Sequence, residues 1–426
     1  MNKIYLIFGS LLATQFVQGD EINSGDTAWI LTSTALVLLM TLPGLALFYG
    51  GLVRSKNVLS VLMQCFTIAC LMSVCWVVYG YSLAFKGDGL FIGDLSALFL
   101  NGVERDSISG TLPESVFITF QMTFAIITPA LVVGAFAERM KFTAMCIFSV
   151  AWFTFVYLPA CHIVWGGGYL GSIGVIDFAG GLVVHATCGI GALVAAIYLG
   201  QRNGFMKSPM PPHNRTMVMI GASMLWVGWF GFNAGSAVAA DSSAGMAMLV
   251  THISAATGAL TWMAIEWIKS GKATMIGIAT GMVAGLATIT PASGSVGPAG
   301  ALLIGFLAGL VCFYATQAVK SYFKIDDSLD VFPVHGVGGI LGIIMIAFVG
   351  NPDGFFGSGA AGISEDGAIA QLMIQLQGVI VISAYTAIVT YVILKLVSLV
   401  TDVRASDEDE DVGLDMSEHN EQGYSL

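Results

Sequence analysis

Charged residues are scarce in this chain of 426 residues, where Asp, Glu, Lys and Arg together make up 10%. Soluble globular proteins carry about 25% of these residues, so the composition excludes an ordinary soluble domain. Hydrophobic residues reach 56%, and the 52 glycines suit helices that approach each other closely in lipid. The composition therefore predicts an all-α polytopic membrane protein whose surroundings are a lipid bilayer.

Sequence motifs for catalysis and metal binding are missing as well. The chain contains no GxxxxGK[ST] loop, no GxSxG elbow, no HExxH and no CxxC. Its seven cysteines show neither disulfide nor zinc spacing, and we expect them to be small buried hydrophobic residues. No soluble segment is long enough for an enzyme domain. We expect no enzymatic activity, no metal or cofactor and no nucleic-acid partner.

Apolar runs long enough to span a bilayer, about 20 residues each, occur eleven times. They cover residues 27–51, 57–85, 113–137, 142–161, 179–200, 216–235, 244–268, 273–291, 298–319, 331–349 and 371–400.

The two ends of the chain differ from this membrane part. Residues 1–19 carry Lys3, a short apolar stretch and small residues near Gly19, a pattern typical of a secretory signal peptide. An uncleaved amphipathic N-terminus is the alternative. The predicted organisation is a signal peptide at 1–19, a membrane domain at 20–401 and an acidic tail at 402–426. We expect this tail to be disordered when unbound, because it is polar and highly charged.

Positive charges between the apolar runs predict the orientation. With residue 20 outside, 13 of the 16 Lys and Arg residues fall in the inner connections or the C-terminal end. The outer connections hold only Lys86 and Arg105, and Lys3 precedes the first run. This bias predicts a multi-pass protein of the cell (inner) membrane, with its N-terminus outside and its C-terminus in the cytoplasm.

A repeated histidine segment indicates internal symmetry. DFAGGLVVHATCGIG (177–191) and DVFPVHGVGGILG (330–342) both read Val-His, three residues, Gly-Ile. They occupy the fifth and tenth runs, which cross the membrane in opposite directions. This is the signature of a 5+5 inverted repeat plus one additional helix. Transport sites in such folds lie near the midplane at the repeat interface.

The two histidines of this repeat, His185 and His335, are the first candidates for function. A histidine inside a membrane span is costly and indicates a functional site. Two neutral imidazoles that share a proton offer a polar contact to a small neutral guest without charging the passage. A structural hydrogen bond and a bis-histidine haem are the alternatives.

An aspartate precedes each histidine. Asp330 is expected to cap its helix. Asp177 has two open roles, which are helix capping and assistance to a cation that loses water.

Aromatic residues crowd the predicted outer side. The segments HIVWGGGYL, GWFGFNAGS and TFQMTF contribute rings there, and Ser236 adds a hydroxyl. These rings form either an interfacial belt or a cation–π cup for a small ammonium-like ion. The rings are Phe120, Phe124, Trp165, Trp229, Phe230 and Phe232.

Seven segments together resemble the ammonium transporter (Amt/Mep/Rh) family. The similarity runs from about 26 to 401 and is closer to the bacterial Amt branch, because Trp165 and Ser236 are present. The segments are FYGGLVRSKN (48–57), GAFAERMKF (134–142), HIVWGGG (162–168), DFAGGLVVH (177–185), GWFGFNAGS (228–236), TPASG (290–294) and DVFPVHG (330–336).

The resemblance implies eleven spans, a homotrimer with one pore per subunit, and transport of ammonium or ammonia, with methylammonium as an analogue. It also implies residue roles. Recruitment falls to Trp165, Phe124, Ser236 and Asp177, the gate to Phe120 and Phe232, and the pore lining to His185 and His335.

The tail segment from Gly413 resembles the family tail that docks a cytoplasmic PII signalling protein. It departs from that pattern at Asn420, where a glycine is usual. An ammonium sensor that signals through the tail is the alternative function, and a channel for neutral CO₂ is a further one.

Overall fold

Eleven long apolar helices dominate the computed structural model, which describes residues 21–350 and 367–424. Each is long and apolar enough to cross a membrane, so the prediction of an all-α protein with eleven spans is confirmed. The helices are α1 (Ser24–Leu52), α2 (Ser55–Phe85), α3 (Glu114–Phe136), α4 (Phe142–Ser172), α5 (Gly181–Leu199), α6 (Arg215–Gly235), α7 (Ser242–Ser270), α8 (Met275–Ala292), α9 (Pro298–Tyr322), α10 (Phe332–Val349) and α11 (Ala368–Val397). The predicted signal peptide, 1–19, lies outside the described residues.

Polar side chains at the helix starts explain several of these boundaries. Asn23 accepts hydrogen bonds from the backbone N–H groups of Gly25 and Asp26 at the start of α1. Asn214 and Asp241 cap α6 and α7 in the same way. Such caps satisfy N–H groups that have no partner within the helix.

The connections gather at the two ends of the helix bundle. At the N-terminal end, where α1 begins, a short hairpin pairs β1 (Ile108–Ser109) with β2 (Leu112–Pro113). Thr111 in its turn donates to the carboxylate of Asp26, which also accepts the N–H of Ala240. The connections after α1, α3, α5 and α9 meet at the opposite, C-terminal end.

Helices α5 and α10 cross each other in opposite directions, as the inverted repeat requires. Both begin with wide π-type turns, Gly181–Ala186 and Phe332–Gly336, and each turn contains the histidine. At the crossing, a side chain on Gly189 would overlap the backbone of Gly336. A side chain on Gly339 would come within 2.7 Å of the His185 Cβ. Glycine is therefore needed at these positions to bring the two histidines together.

The start of α10 differs from the sequence expectation. Asp330 was expected to cap this helix, but the N–H of Phe332 donates to Asp327 Oδ2 at 2.7 Å. Asp330 instead pairs with Lys320 at 2.8 Å and has a left-handed backbone, with φ of 62°. The expectation for Asp330 is wrong, because the turn that precedes α10 brings the earlier aspartate to the free N–H groups.

A buried ion-pair cluster joins the connections at the C-terminal end. Arg202 contacts Glu138 and Asp326, both at 2.8 Å, and Arg54 contacts Glu138 at 3.0 Å. Burial raises both carboxyl pKa values, but the arginines outweigh it. Arg202 and Arg54 hold the pKa of Glu138 below its ordinary value, and Arg202 and Arg139 do the same for Asp326. The cluster ties four connections into one structure.

The acidic tail is ordered as far as residue 424, so the expectation of disorder is wrong for 402–424. It forms α12 (Asp407–Val412) and α13 (Leu414–His419). Lys56 donates to the carbonyl oxygens of Glu410 and Asp411, and the N–H of Ser60 donates to Asp415 at 2.7 Å. The start of α2 thus supplies the donors that hold the acidic tail, namely the charged Lys56 side chain and a backbone N–H group. The sequence pattern does not reveal this contact.

Candidate functional site

Five rings from five helices form a continuous column that leads from the N-terminal end into the bundle. Centroid distances are 5.7 Å for Trp165–Phe124, 4.4 Å for Phe124–Phe232, 5.9 Å for Phe232–His185 and 5.2 Å for His185–His335. We call these five rings the aromatic column. The aromatic column thus contains five of the eight residues to which the resemblance assigns recruitment, gating or pore lining.

Trp165 forms the N-terminal end of the column and is partly exposed. Its indole Nε1 donates to the backbone oxygen of Asp177 at 2.8 Å. Two residues after Trp165, within α4, the chain turns at Gly167, whose φ of 89° favours glycine. A side chain on Gly180 would lie within 3.4 Å of the indole ring. Trp165 is thus held across the entrance by the segment that leads into α5.

Asp177 caps α5 with its whole carboxylate. The backbone N–H groups of Gly180 and Gly181 donate to Oδ1, and those of Leu182 and Val183 donate to Oδ2. A carboxylate has about four acceptor positions, and these four bonds use them. Asp177 is only 6% exposed, and burial raises its pKa although the four hydrogen bonds oppose this. The sequence left two roles open for Asp177, helix capping and assistance to a cation that loses water. The four hydrogen bonds have the geometry of a helix cap.

Phenylalanine rings close the column below Trp165. Phe120, Phe124 and Phe232 are all buried, and Phe120 meets Phe124 edge to face at 5.1 Å. The close separation of Phe124 and Phe232 is that of rings in direct contact. Ser236, at the end of α6, donates its hydroxyl to the carbonyl of Phe232 at 2.8 Å. Passage at this level requires the rings to move.

The two histidines meet at the centre of the bundle. Their Nδ1 atoms are 3.2 Å apart, and the rings are 1% and 4% exposed for His185 and His335. One ring must donate and the other accept, so the pair shares one proton. The indole of Trp229 stacks on His185 at 5.4 Å and donates to the Thr290 hydroxyl. The two imidazoles thus meet edge to edge through their Nδ1 atoms, with ring planes inclined by 25°.

A small cavity lies beside the histidine pair. Its volume of about 10 Å³ is close to the smallest space that holds one water molecule. Apart from the two histidines its walls are apolar or aromatic, so the imidazoles supply the polar contacts. The lining residues are Met40, Leu45, Phe48, Ile127, Leu131, His185, Leu225, Trp229, Phe232, Val283 and His335.

Two neighbours of the histidines are not evident from the sequence. Trp229 was assigned to the outer aromatic group, but it lies deep in the bundle against His185. Its position three residues before Phe232, on the same helix face, was the available signal. Cys188 was treated as a buried hydrophobic residue. Its Sγ lies within 4.8 Å of ring nitrogens of both histidines.

Two further histidines have structural contacts. His162 lies between the carbonyl oxygens of Ala84 and Gly89, at 3.0 and 2.6 Å, and joins α4 to the end of α2 and to the connection that follows it. His252 packs against Trp226 on α6 and lies apart from the column.

Comparison with known proteins gives a consistent result. The model of the Ammonium Transporter Family matches residues 28–424. The ammonium transporter of Bacillus subtilis is 44% identical over 402 residues, which cover 94% of this chain and 98% of that protein. The ammonium transporter of Aquifex aeolicus is 43% identical over 429 residues, with 100% and 99% of the two chains covered.

Solved structures share the same fold. The crystal structure of Candida albicans Mep2 superposes with a TM-score of 0.83 at 34% identity, and covers 92% of this chain and 88% of Mep2. A structure titled "Sensor Amt Protein" gives a TM-score of 0.86 at 28% identity, with 93% and 98% covered.

Proposed function

The chain belongs to the ammonium transporter family, and from this premise we propose that it takes up ammonium and conducts it as neutral ammonia through the aromatic column. Ammonium transport itself follows from the family. The route and the chemical form that crosses are the proposal. One observation supports both: apart from the Trp229 indole, whose N–H donates to Thr290, the polar side chains that line the central cavity among the described residues are two buried imidazoles that share a proton.

Energetics favour the neutral form. A bare cation in an apolar cavity loses its hydration shell, and an unpaired buried charge costs many kcal/mol. Cation–π contacts return only about 0.5–2 kcal/mol each. Ammonium escapes this penalty by leaving its proton behind, whereas K⁺ has no proton to lose. The passage therefore selects for a molecule that can be deprotonated.

Recruitment is assigned to the N-terminal end of the column. Trp165 and Phe124 present ring faces to a small cation, and Ser236 adds a hydroxyl at the end of α6. Asp177 supports deprotonation through its negative charge and its hold on Trp165, since its oxygens are already occupied by N–H groups. The proton then passes to water or along the histidine pair.

The remaining steps follow the column inward. Phe120 and Phe232 form a gate that opens by ring rotation. Ammonia then meets His185 and His335, where one imidazole nitrogen accepts from its N–H and the other donates to its lone pair. These two hydrogen bonds replace the ones that ammonia makes with water, and they add no charge to the passage.

The placement in the cell is also part of the proposal. The lysines and arginines of the C-terminal end support an inner-membrane orientation with that end in the cytoplasm and residue 20 outside. A signal peptide at 1–19, a membrane domain at 20–401 and a cytoplasmic tail at 402–426 complete the organisation. Resemblance to the family supports a homotrimer and a PII signalling protein that reads the tail.

A sensor that signals through the tail is the second candidate. The structural likeness to a protein titled "Sensor Amt Protein" favours it, as does the tail's contact with Lys56 and Ser60 of α2. Such a contact lets a movement of α2 reach the tail.

Uptake of labelled methylammonium by cells with and without the protein separates the two candidates. A transporter increases uptake, whereas a pure sensor leaves it unchanged. The double variant His185→Ala/His335→Ala is expected to lower uptake at least tenfold. His252→Ala, a histidine in α7 outside the column, is the matched control and is expected to keep it.

A further inference from the structure

A thiol stands beside the two imidazoles at the centre of the passage. One ring nitrogen of His185, one of His335 and the Sγ of Cys188 all lie within 4.8 Å of one another. All three side chains are buried. Cys188 follows His185 by three residues, which places both on the same face of α5. Imidazole and thiolate together are ligands that soft metal ions prefer over oxygen donors.

The distances suit one small ion. With the bond lengths and tetrahedral geometry of zinc as a reference, two nitrogens bound to one ion at 2.0–2.1 Å lie about 3.3 Å apart. The two Nδ1 atoms are already 3.2 Å apart. A sulfur ligand at about 2.3 Å then needs an N···S separation of about 3.6 Å. Because the sulfur lies within 4.8 Å of the ring nitrogens, each N···S distance has to shorten by about 1.2 Å at most. A side-chain rotation about Cα–Cβ is enough for a shift of this size.

The hydrogen-bond pattern leaves the ligand atoms available. His185 Nε2 has no hydrogen-bond partner in the part of the chain that the structure describes. It can take the ring proton and leave Nδ1 as a lone-pair donor. The Cys188 thiol makes only a weak contact at 3.4 Å, to the carbonyl of His185 one turn earlier. Few existing interactions are lost when an ion replaces the shared proton.

Charge decides which ion fits. We propose that His185, His335 and Cys188 form a binding site for a soft monovalent cation, Cu⁺ or Ag⁺, that blocks the passage when occupied. The thiol S–H bond breaks, its proton leaves to water, and a sulfur–metal bond forms without any change of oxidation state. One thiolate, two neutral imidazoles and one monovalent ion sum to zero charge. A divalent ion would leave one uncompensated positive charge in an apolar cavity.

The other described cysteines allow binding at this site to be distinguished from the binding of silver to thiols in general. Cys161 is equally buried, whereas Cys70 on α2 is exposed. Within the described ranges, the group at 185, 188 and 335 is the one set of three His, Cys, Asp or Glu side chains close enough to share an ion. Silver bound at any of the other described thiols therefore lacks the two imidazole ligands.

Silver binding to the purified full-length protein tests the site directly. The probe is Ag⁺ as its nitrate in chloride-free detergent buffer, with binding followed by titration and coordination by X-ray absorption. The wild type is expected to hold one high-affinity Ag⁺ per chain with mixed nitrogen and sulfur ligands. Cys188→Ala is expected to weaken this site at least tenfold, and Cys161→Ala to leave it unchanged. Equal binding in all three proteins overturns the proposal.

A conservative variant guards against misfolding. Cys188→Ser keeps the size of the side chain but replaces a soft ligand by a hard one, so a folded Cys188→Ser protein must also lose the site. Retention of a site with nitrogen and sulfur ligands in folded Cys188→Ser overturns the assignment of the sulfur to Cys188.

Transport provides the second readout. In proteoliposomes, Ag⁺ is expected to stop methylammonium uptake by the wild type, while Cys188→Ala takes up methylammonium but needs at least tenfold more Ag⁺ for half inhibition. Equal inhibition of both proteins contradicts a block at this site. If the wild type takes up no methylammonium even without silver, the proposed function fails, and the binding experiment still decides whether the metal site exists.

Discussion

At the scale of single residues, Asp177 combines two structural tasks, of which the sequence predicted one, helix capping. Its carboxylate caps α5 with four hydrogen bonds, and its backbone oxygen holds the indole of Trp165. The position of the entrance ring therefore depends on the start of the helix that carries His185. We therefore expect a change at Asp177 to affect both the stability of the start of α5 and the position of the Trp165 ring.

Asp177→Asn tests this dual dependence. Asparagine offers one acceptor oxygen and turns an NH₂ group toward backbone N–H donors, so at least two of the four bonds are lost. We expect a loss of about 2–3 kcal/mol in stability, because hydrogen bonds to a charged group contribute about 1.5–3 kcal/mol each and some are replaced by water. Thermal unfolding in detergent measures this loss.

The matched control is Asp241→Asn. Asp241 caps α7 through one hydrogen bond to the N–H of Ala244, and asparagine is an equally good cap at such a position. We expect a change below about 0.5 kcal/mol there. Equal effects of the two substitutions contradict the special role of Asp177.

At the scale of helices, the crossing of α5 and α10 positions the two histidines against each other. The sequence predicted that His185 and His335 face each other, because a repeated pattern on antiparallel spans can be recognised from residue types alone. It did not predict the π-type turns that contain them, since i→i+5 bonding leaves no residue signature. It also assigned the cap of α10 to Asp330 rather than Asp327, because the left-handed turn that selects between them depends on tertiary contacts.

Gly189→Ala tests the crossing. An added methyl group would overlap the backbone of Gly336, and neither backbone can move without shifting its histidine. Overpacking of this kind costs about 1–3 kcal/mol, and we expect a lower unfolding temperature together with at least a tenfold loss of methylammonium uptake.

Gly245→Ala is the control for this experiment. Gly245 lies in α7, and a side chain there would meet no atom within 4 Å. Alanine is expected to leave uptake unchanged and to preserve or slightly raise stability, because it favours the helix by about 0.5–1 kcal/mol. Similar losses in both variants would show that helix composition, and not the crossing, is responsible.

At the scale of the whole molecule, the C-terminal end is held by charge. Glu138, Asp326 and Arg202 tie the connections together. Arg404 of the tail pairs with Glu410 at 2.6 Å and donates to the carbonyl oxygen of Leu199 at the end of α5. The sequence predicted the positive charges of this end from their bias. It could not predict their partners, because pairs such as Arg202 and Glu138 are 64 residues apart. The docked tail was missed for the same reason.

Acid is expected to destabilise this end. The pKa values of Glu138 and Asp326 lie below their ordinary values of 4.5 and 3.8 in the folded state. The folded state thus binds fewer protons than the unfolded state, so the stabilisation is present above these values and is lost as the pH falls through the folded-state values. Burial raises the pKa of Asp327 to about 6, which gives a slope of opposite sign between about pH 4 and 6.

Unfolding temperatures measured from pH 7 to pH 3 check this expectation. The wild type should lose stability steeply below about pH 4. Glu138→Gln should be less stable at pH 7 by about 3–5 kcal/mol, because it leaves Arg202 and Arg54 with one partner fewer, and should show a shallower loss in acid. A wild-type unfolding temperature that does not fall below pH 4 would contradict the account.

Tail docking gives a further prediction. Asp415 accepts the N–H of Ser60 at the start of α2, so Asp415→Ala removes a cap worth about 1 kcal/mol and the charge that supports it. We expect amide hydrogens in 402–424 to exchange several times faster, measured by mass spectrometry. Glu408→Ala, an exposed position on α12, should leave exchange unchanged. Unaltered exchange in Asp415→Ala would show that this contact does not hold the tail.

The central claim is that two neutral imidazoles line an apolar passage which only a molecule able to lose a proton can cross. The most direct measurement is the current across proteoliposome membranes after pulses of ammonium and of K⁺, compared between the wild type and His185→Asp. The account predicts that the wild type excludes K⁺ and that the carboxylate variant admits it, because a fixed negative charge then compensates the ion. Exclusion of K⁺ by His185→Asp with ammonium flux unchanged would contradict the claim.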